Sequence, residues 1–443
     1  MKLSIFDANK RGLAAAAILL AALTGTSWAG ISGTIGPNFT FTAKGGHIST
    51  SEGNSIYMWG YANGAGADAV MQYPGPVMIV NEDQPVKVTL FNELPVPVSI
   101  VFPAQPGVSA SGAGAAGLLT LEVPAGAPGA PAGPVVYSFT PAEAGTYLYH
   151  SGTQWDLQGE MGLVGALIVR PTGFDPDTTA GRRAYAHPDS QYDVEYLYFL
   201  TDMDENIHDQ VEIQVNNGDP VKVDMTKWYP QYWFMNGRSG TDTVLPAGAA
   251  WLPNQPYDAL TMIRPTEKVL MRIVGAGRDP HPFHFHGNDA LVIARDGRLL
   301  SSAPGAGADL GWEQFTNPAP PDSTWDQIFS WTGKGLGWDV YGHAPGDPPA
   351  TNALGVIVED MNDHGKPFPV TLPSEQDITY GQMYSGSPFI GATGALPPGE
   401  GGFNPGAFFY MWHSHNEREL CDGNIFPGGM LTFAIILPHS TAP

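Results

Sequence analysis

The stretch GTYLYHSGTQWDLQGEMGLVGALIVRP, residues 145–171, holds two short apolar and aromatic runs separated by a polar, glycine-bearing segment. Short runs rich in aromatic and β-branched residues, bounded by glycine, proline and polar residues, are typical of β-strands. The first run, GTYLYH, ends on His150, so an imidazole lies at the end of a predicted strand. The stretch therefore predicts two strands and one candidate functional side chain.

The same pattern recurs along most of the chain, and patterns of long amphipathic helices are scarce. Further runs of this kind are VKVTLFNEL from Val86, VVYSFTP from Val135, VEYLYFL from Val194 and VLMRIVGAG from Val269. The Ala/Gly/Pro-rich stretch at residues 109–133 predicts a flexible surface loop instead. Frequent short strands with glycine- and proline-rich turns indicate an all-β protein built from β-sandwiches.

The length of 443 residues favours more than one domain. A polar stretch with proline and glycine at residues 172–190 follows a strand that would end a sandwich. We therefore expect a first domain at residues 30–172 and a second at residues 190–443. The second is long for one sandwich, so it should carry long loop insertions, for which the candidates are residues 303–350 and 384–406.

The N-terminus has the pattern of a secretory signal peptide. Three basic residues precede an apolar run from Leu13 to Leu23, and small residues follow up to Ala29. The run is about half the length of roughly 20 residues that a membrane span requires. We therefore expect residues 1–29 to be a cleaved signal peptide and the protein to be secreted or periplasmic. An uncleaved anchor is the alternative.

The chain is strongly acidic, with a formal net charge of −23. Such a charge repels phosphate backbones and anionic lipid, which argues against nucleic-acid partners and, after signal cleavage, against membrane association. Cys421 is the single cysteine, so the chain cannot form an internal disulfide. Stability must therefore come from the cores of the sheets.

Five of the twelve histidines lie in two short clusters, PHPFHFHG and WHSH. Alternate side chains of a strand share a face, so His284 lies beside His286 and His413 beside His415. A set of imidazoles without an obvious carboxylate favours copper or zinc. Ordinary strand histidines, exposed or bound to backbone groups, are the alternative, but two separate His-x-His pairs favour a metal site.

These segments together resemble the multicopper oxidases, a family with the cupredoxin fold. The similar segments are YPGPVMIVNEDQPVKVTLFNEL from Tyr73, residues 145–171 quoted above, YWFMNGRSGTDT from Tyr232, PHPFHFHG from Pro280 and WHSHNERELCDGNIFPGGM from Trp412. The resemblance implies an all-β fold of two cupredoxin-like Greek-key β-sandwich domains with long loop insertions. It also implies copper as the cofactor and a small-molecule reductant or oxygen as the partner.

The resemblance assigns copper ligands position by position. The matching residues are His150, His281, His284, His286, His413 and His415. By this match His284 would bind the type 2 copper, and His281 corresponds to the histidine that serves the blue copper. The other four would be ligands of the type 3 pair.

Several positions depart from the family pattern. Residues 101–104 replace a His-Trp-His-Gly motif, and Gly152 replaces the histidine that follows His150, so three cluster ligands are missing. Ser414 stands in place of the blue-copper cysteine, and Glu419 stands at the position of its second histidine. A serine hydroxyl cannot replace the thiolate of a blue copper. We therefore expect one or two coppers and no blue copper.

Five further residues in or beside these segments are candidates for other roles. Cys421 has no histidine between itself and Met430, so we expect a loop or buried thiol, and a core position for Met430. Glu417, Glu419 and Asp289 are candidates for acid/base work or for orienting the ligands. Solvated surface carboxylates are the alternative for these three.

Three functions remain open at this point. The first is a copper-dependent oxidoreductase at a reduced interdomain site, and the second is a non-catalytic protein that binds or sequesters copper. The third is a structural cupredoxin-fold protein without metal, which the persistence of the matching histidines disfavours. Two-domain relatives often form homotrimers with copper between subunits, and a site closed within one chain is the alternative.

Overall fold

The computed structural model describes residues 30–264, 267–331 and 408–436. Within these residues the chain is mostly β-sheet, as predicted. The predicted signal peptide at residues 1–29 and the insertion candidate at residues 384–406 lie outside the described residues, as does residue 332 onward of the other candidate.

The strands of the first part of the chain form two sheets and a small two-stranded pair. They are β1 Thr34–Ile35, β2 Asn38–Ser49, β3 Ser55–Asn63, β4 Met71–Gln72, β5 Gly75–Asn81, β6 Val86–Asn92, β7 Ser109–Gly112, β8 Ala115–Ala116, β9 Leu121–Glu122, β10 Ala132–Phe139, β11 Gly145–His150 and β12 Val164–Arg170. The sheet orders are β1-β5-β12-β11 and β4-β3-β2-β6-β10-β7, and β8 pairs with β9. The two runs of residues 145–171 are β11 and β12, which pair antiparallel and flank a short helix, α1, at Trp155–Gln158.

The core of this part lies between the two larger sheets. In β6 the alternate residues Val86, Val88 and Leu90 are buried, while Lys87 is exposed. Alternation with a period of two places every second side chain on the inner face. The largest fully buried side chains of this core are Phe41, Trp59, Tyr61, Tyr137 and Tyr149.

The strands from residue 194 onward form two other sheets. They are β13 Val194–Met203, β14 Tyr232–Met235, β15 Thr261–Ile263, β16 Lys268–Gly275, β17 Phe283–Phe285, β18 Ala290–Arg295, β19 Arg298–Leu299, β20 Trp312–Gln314, β21 Thr316–Asn317, β22 Ser323–Ser330, β23 Phe408–Ser414 and β24 Leu431–Ile436. The orders are β14-β13-β16-β22-β18-β19, with β20 beside β18, and β15-β24-β23-β17-β21. The division into domains at residues 30–172 and 190–443 stays a prediction.

Buried polar groups join the two parts. Thr146 on β11 donates from Oγ1 to Asp326 Oδ1 on β22 over 2.5 Å. Arg272 on β16 donates to Thr146 Oγ1 over 2.9 Å and to Glu195 Oε2 over 3.0 Å. Because Arg170 of β12 also bonds to Glu195, charges from both parts neutralise one another at the interface.

Two local predictions differ from the structure. Residues 109–133 were predicted as a loop, but Ser109–Gly112 forms the edge strand β7, which pairs with β10. A 13-residue helix, α2 at Glu205–Asn217, was not predicted. It starts after Asp204, whose side chain accepts from the backbone N of Asn206, and ends before Gly218. These capping residues are the signal that could have identified it.

The remaining helical elements are single 3-10 turns. They lie at Pro188–Ser190, Met225–Lys227, Asp242–Val244 and Glu417–Leu420. Among the described residues there is no helix with the length and apolar character needed to cross a bilayer.

Candidate metal centre

Two neighbouring strands place histidines from distant parts of the sequence side by side. β17 and β23 pair antiparallel, with His284 directly opposite His413. The flanking residues Phe283, Phe285 and Trp412 are fully buried in the core. Since side chains alternate along a strand, His284 and His413 project from the opposite face.

His286 lies two positions after His284, and His415 two positions after His413. The four side chains form a cluster of imidazoles. The ring centroids of His284 lie 5.4 Å from His286, 5.4 Å from His413 and 4.8 Å from His415. Ligand nitrogens of His284, His286 and His413 all lie within 4.8 Å of one another. An ion bound to nitrogens at about 2.0–2.1 Å holds those nitrogens roughly 3.3 Å apart. Small side-chain rotations would reach that spacing, so the donor set fits a metal ion.

Hydrogen bonds fix the orientation of two of these rings. His413 Nδ1 donates to the backbone O of Ser414 over 2.6 Å, so its Nε2 carries the lone pair and accepts from His286 Nδ1 over 3.4 Å. His284 Nδ1 lies 2.9 Å from Thr316 Oγ1. Partners of this kind set the tautomer and the ring orientation of histidines that bind metals.

The surroundings favour the neutral form of His284, His286 and His413. Burial and the neighbouring imidazoles lower the pKa of His413 to about 4, although its bond to the Ser414 carbonyl acts in the opposite direction. Burial and the charges of His286 and His415 lower the pKa of His284. Burial and His415 lower the pKa of His286. A neutral imidazole has the lone pair that metal binding requires.

His150 lies outside the four-histidine cluster. Its ring packs against Trp155, with centroids 4.1 Å apart. Its Nδ1 donates to the backbone O of Ser151 over 2.8 Å, which repeats the bond of His413 to the carbonyl of the next residue. Burial lowers the pKa of His150, although the Ser151 bond and Asp322 act to raise it. Its Nε2 is therefore the nitrogen available for a ligand.

His281 is engaged in a different arrangement. It is fully buried, with Nδ1 3.0 Å from Glu419 Oε2 and Nε2 3.6 Å from Asp202 Oδ2. Burial lowers the pKa of His281, but the bond to Glu419 and the charge of Asp202 outweigh it and raise the pKa overall. Because Ser414 offers no thiolate and Glu419 occupies His281 Nδ1, the residues do not fit a blue copper.

The other candidates differ in exposure. Cys421 is a partly exposed free thiol in a loop, and Met430 is fully buried in the core of the second part. Asp289 and Glu417 are exposed, whereas Glu419 is buried. Of the three carboxylates considered from the sequence, Glu419 alone contacts one of the named histidines among the described residues.

Sequence reasoning did not identify Thr316, Trp155 or the Ser414 carbonyl as partners of these histidines. Thr316 reaches His284 because β21 pairs with β17. No pattern local to residue 316 indicates that pairing, so only the folded sheet reveals it.

Comparison with known proteins bears on the resemblance to the multicopper oxidases. Residues 63–173 match the family model described as multicopper oxidase. The multicopper oxidase mgLAC superposes with a TM-score of 0.52 at 18% identity, covering 92% of this chain and 87% of that one. The blue copper oxidase from Nitrosomonas europaea also gives a TM-score of 0.52, at 17% identity and with coverage of 90% and 85%. The resemblance is therefore confirmed for the fold and, over residues 63–173, for the sequence.

A curated relative comes from Kuenenia stuttgartiensis and is named a probable nitrite reductase-hydroxylamine oxidoreductase fusion protein. It is 26% identical over 241 residues, which are 52% of this chain. The chain spans only 22% of the length of that relative.

Proposed function

We propose that this chain, which has the fold of multicopper oxidases, binds one or two copper ions and acts as an oxidoreductase there. The ligands are His284, His286 and His413, with His415 beside them. The observation that carries the proposal is the approach of three ligand nitrogens within 4.8 Å of one another. All-imidazole sets suit copper, which supplies one-electron redox chemistry when bound.

The residues of the chain have two tasks at this site. Thr316 and the Ser414 carbonyl hold His284 and His413 in orientation. The half-buried His284 and His286 and the exposed His415 leave the centre open to oxygen or to a small-molecule reductant. Since the residues do not fit a blue copper, the reductant must reach this centre directly. The relatives named as oxidases and as a nitrite reductase fusion support redox chemistry.

A homotrimer with copper between subunits is the proposed assembly. His150 lies outside the cluster of its own chain, yet its Nδ1 bond matches that of His413. A neighbouring copy could present His150 to the cluster and complete the site. Exposed apolar side chains support such a contact, since Phe315 beside His284 is 61% exposed and Leu119 near Gly152 is 64% exposed. Export of the mature chain after Ala29 is part of the proposal.

The test is the copper content of the purified protein after copper loading and desalting, measured by elemental analysis. We expect one or two coppers per chain in the wild type and none in the double variant His284→Ala/His413→Ala. The matched control is His47→Ala, because His47 is exposed and bonds to Glu212 away from the cluster. It should bind copper like the wild type. A wild type without copper would overturn the proposal.

Turnover then separates the two copper-binding functions. Oxidation of a small reductant by the loaded wild type, absent in the double variant, supports an oxidoreductase. Stoichiometric copper without turnover of any reductant tested would indicate a protein that only holds the metal. Circular dichroism of each variant shows whether the sheets remain folded.

A further inference from the structure

Glu419 is a buried carboxylate with a separate partner on each oxygen. It is 2% exposed. Oε2 lies 3.0 Å from His281 Nδ1, and Oε1 accepts from Asn416 Nδ2 over 2.9 Å. Burial of a carboxylate costs free energy unless the group is paired and hydrogen-bonded. The contacts with His281 and Asn416 therefore offset the cost of burying Glu419.

These contacts tie together the two segments that carry the four clustered histidines. His281 precedes His284 by three positions, and Asn416 follows His415 directly. The two segments also share a backbone bond from His415 N to Pro282 O over 2.8 Å. Glu419 thus joins both segments just beside the clustered imidazoles.

The backbone of Glu419 closes the loop that follows β23. Met430 N donates to Glu419 O over 2.7 Å, and Ser414 N donates to Met430 O over 3.0 Å. Asn416 N donates to Ser414 Oγ over 3.1 Å. The loop from Ser414 to Cys421 is therefore folded around Glu419.

The other ring nitrogen of His281 faces a carboxylate of the sheet. Asp202 on β13 lies 3.6 Å from His281 Nε2. Its two carboxylate oxygens accept from the backbone N of Arg278 and of Asp279, each over 2.8 Å. The imidazole of His281 thus lies between two buried carboxylates, and an imidazolium is the form that such a pair stabilises.

We propose that His281 and Glu419 form an ionic clamp that positions the clustered histidines and itself binds no metal. The clamp links the segment of His284 and His286 to the segment of His413 and His415. Both are positioning residues, and the inference rests on the proposed copper site. Substitution of residues that hold metal ligands in place, without binding the metal themselves, typically changes the metal affinity by about 10- to 100-fold.

The test compares Glu419→Gln with Glu195→Gln. Both variants remove one buried carboxylate that is paired with a buried basic side chain, but Glu195 bonds to Arg170 and Arg272 and not to the histidine segments. We expect Glu419→Gln to raise the Kd for Cu(II) about 10- to 100-fold and to alter its electron paramagnetic resonance spectrum. Glu195→Gln should keep the wild-type Kd and the wild-type spectrum, although it lowers the free energy of unfolding. Glu419→Asp, which keeps the charge on a shorter side chain, should give an intermediate Kd.

Hydrogen exchange of the metal-free protein tests the clamp without copper. We expect the amides of residues 414–421 to exchange faster in Glu419→Gln than in the wild type, and by a larger factor than the other protected amides. In Glu195→Gln the lower stability should raise exchange across the protein, with no additional increase at residues 414–421. The double variant His281→Gln/Glu419→Gln should exchange no faster than either single variant, because both remove the same link.

The outcomes distinguish this inference from the proposed function. A wild type that binds no copper overturns the copper site, while the exchange data still test the clamp. If the amides of residues 414–421 exchange in Glu419→Gln at the wild-type rate, the clamp is overturned. If the wild type binds copper and Glu419→Gln has the same Kd and spectrum, the positioning role is overturned. If Glu419→Gln does not fold, the same comparisons are made with Glu419→Asp.

Discussion

Glu195 is the residue at which charges from both parts of the chain meet. It is 4% exposed and bonds to Arg170 of β12 and to Arg272 of β16. Burial acts to raise its pKa, but the two guanidinium groups outweigh burial and lower the pKa of Glu195 to about 2. The charged carboxylate is therefore favoured in the folded state.

We predict that Glu195→Gln lowers the free energy of unfolding at pH 7 by about 3–5 kcal/mol, because two buried guanidinium groups lose their partner. The pKa is lower in the folded than in the unfolded state, so the contribution of Glu195 is present above the ordinary value of 4.5. It is lost as the pH falls from there towards about 2. Urea unfolding between pH 2 and pH 7 measures both effects.

The matched control is Glu417→Gln, because Glu417 is an exposed carboxylate. It should change the free energy of unfolding by no more than about 0.5 kcal/mol. If Glu195→Gln loses stability between pH 4.5 and pH 2 as steeply as the wild type does, the ion pair is not the source of that acid sensitivity.

The helix α2 is bounded by residues that satisfy the hydrogen-bonding groups at its two ends. Asp204 caps its first turn, and Gly218 ends it with a φ of 73°. Its inner face buries Ile207 and Val211 against the core of the first part. The helix therefore attaches the chain after β13 to the first sandwich.

We predict that Gly218→Ala lowers the free energy of unfolding by about 1–2 kcal/mol, because an L-residue with a side chain is strained at positive φ. No atom lies within 4 Å of a Cβ at this position, so the cost comes from the backbone alone. Gly218→Asn should cost less, because asparagine tolerates this conformation. Thermal unfolding of the three proteins measures the order, and equal stability of Gly218→Ala and wild type would contradict the reason given.

The pairing of β17 with β23 is the element-scale basis of the candidate metal centre. The register places His284 opposite His413, and a shift by one residue would turn each histidine towards the core. The buried Phe283, Phe285 and Trp412 make that shift costly, because their rings would be exposed. The aromatic residues next to these histidines therefore determine which way the imidazoles point.

At the scale of the whole molecule, the open question is whether one chain or two form the copper site. The proposed trimer takes His150 from one copy and the four clustered histidines from the next. We predict that His150→Ala and His413→Ala each bind less copper than the wild type. Mixing the two unfolded variants in equal amounts and refolding them together should restore about a quarter of the wild-type sites, because each site needs one intact half from each neighbour.

Copper content of the refolded mixture and light scattering after size exclusion check this prediction. Refolded wild type gives the reference for full occupancy, and each variant refolded alone gives the baseline for a chain without a complete site. A monomer by light scattering, or a mixture that binds no more copper than the variants alone, would place the site within one chain.

Much of the fold follows from local pattern. The runs that became β6, β11, β12, β13 and β16 predicted strands, because short runs of aromatic and β-branched residues bounded by turn residues are typical of strands. The edge strand β7 and the helix α2 were missed. β7 consists of Ser and Ala with Gly and forms only because β10 offers an edge to pair with.

The sequence by itself determined the all-β class and the two His-x-His pairs, since spacing along a strand decides which side chains share a face. Tertiary structure alone decided which histidines meet. His284 and His413 are neighbours because β17 pairs with β23 across 129 positions of sequence, whereas His281 is turned towards Glu419 and His150 lies with Trp155. Strand pairing and burial act between segments far apart in the chain, so no local pattern encodes them.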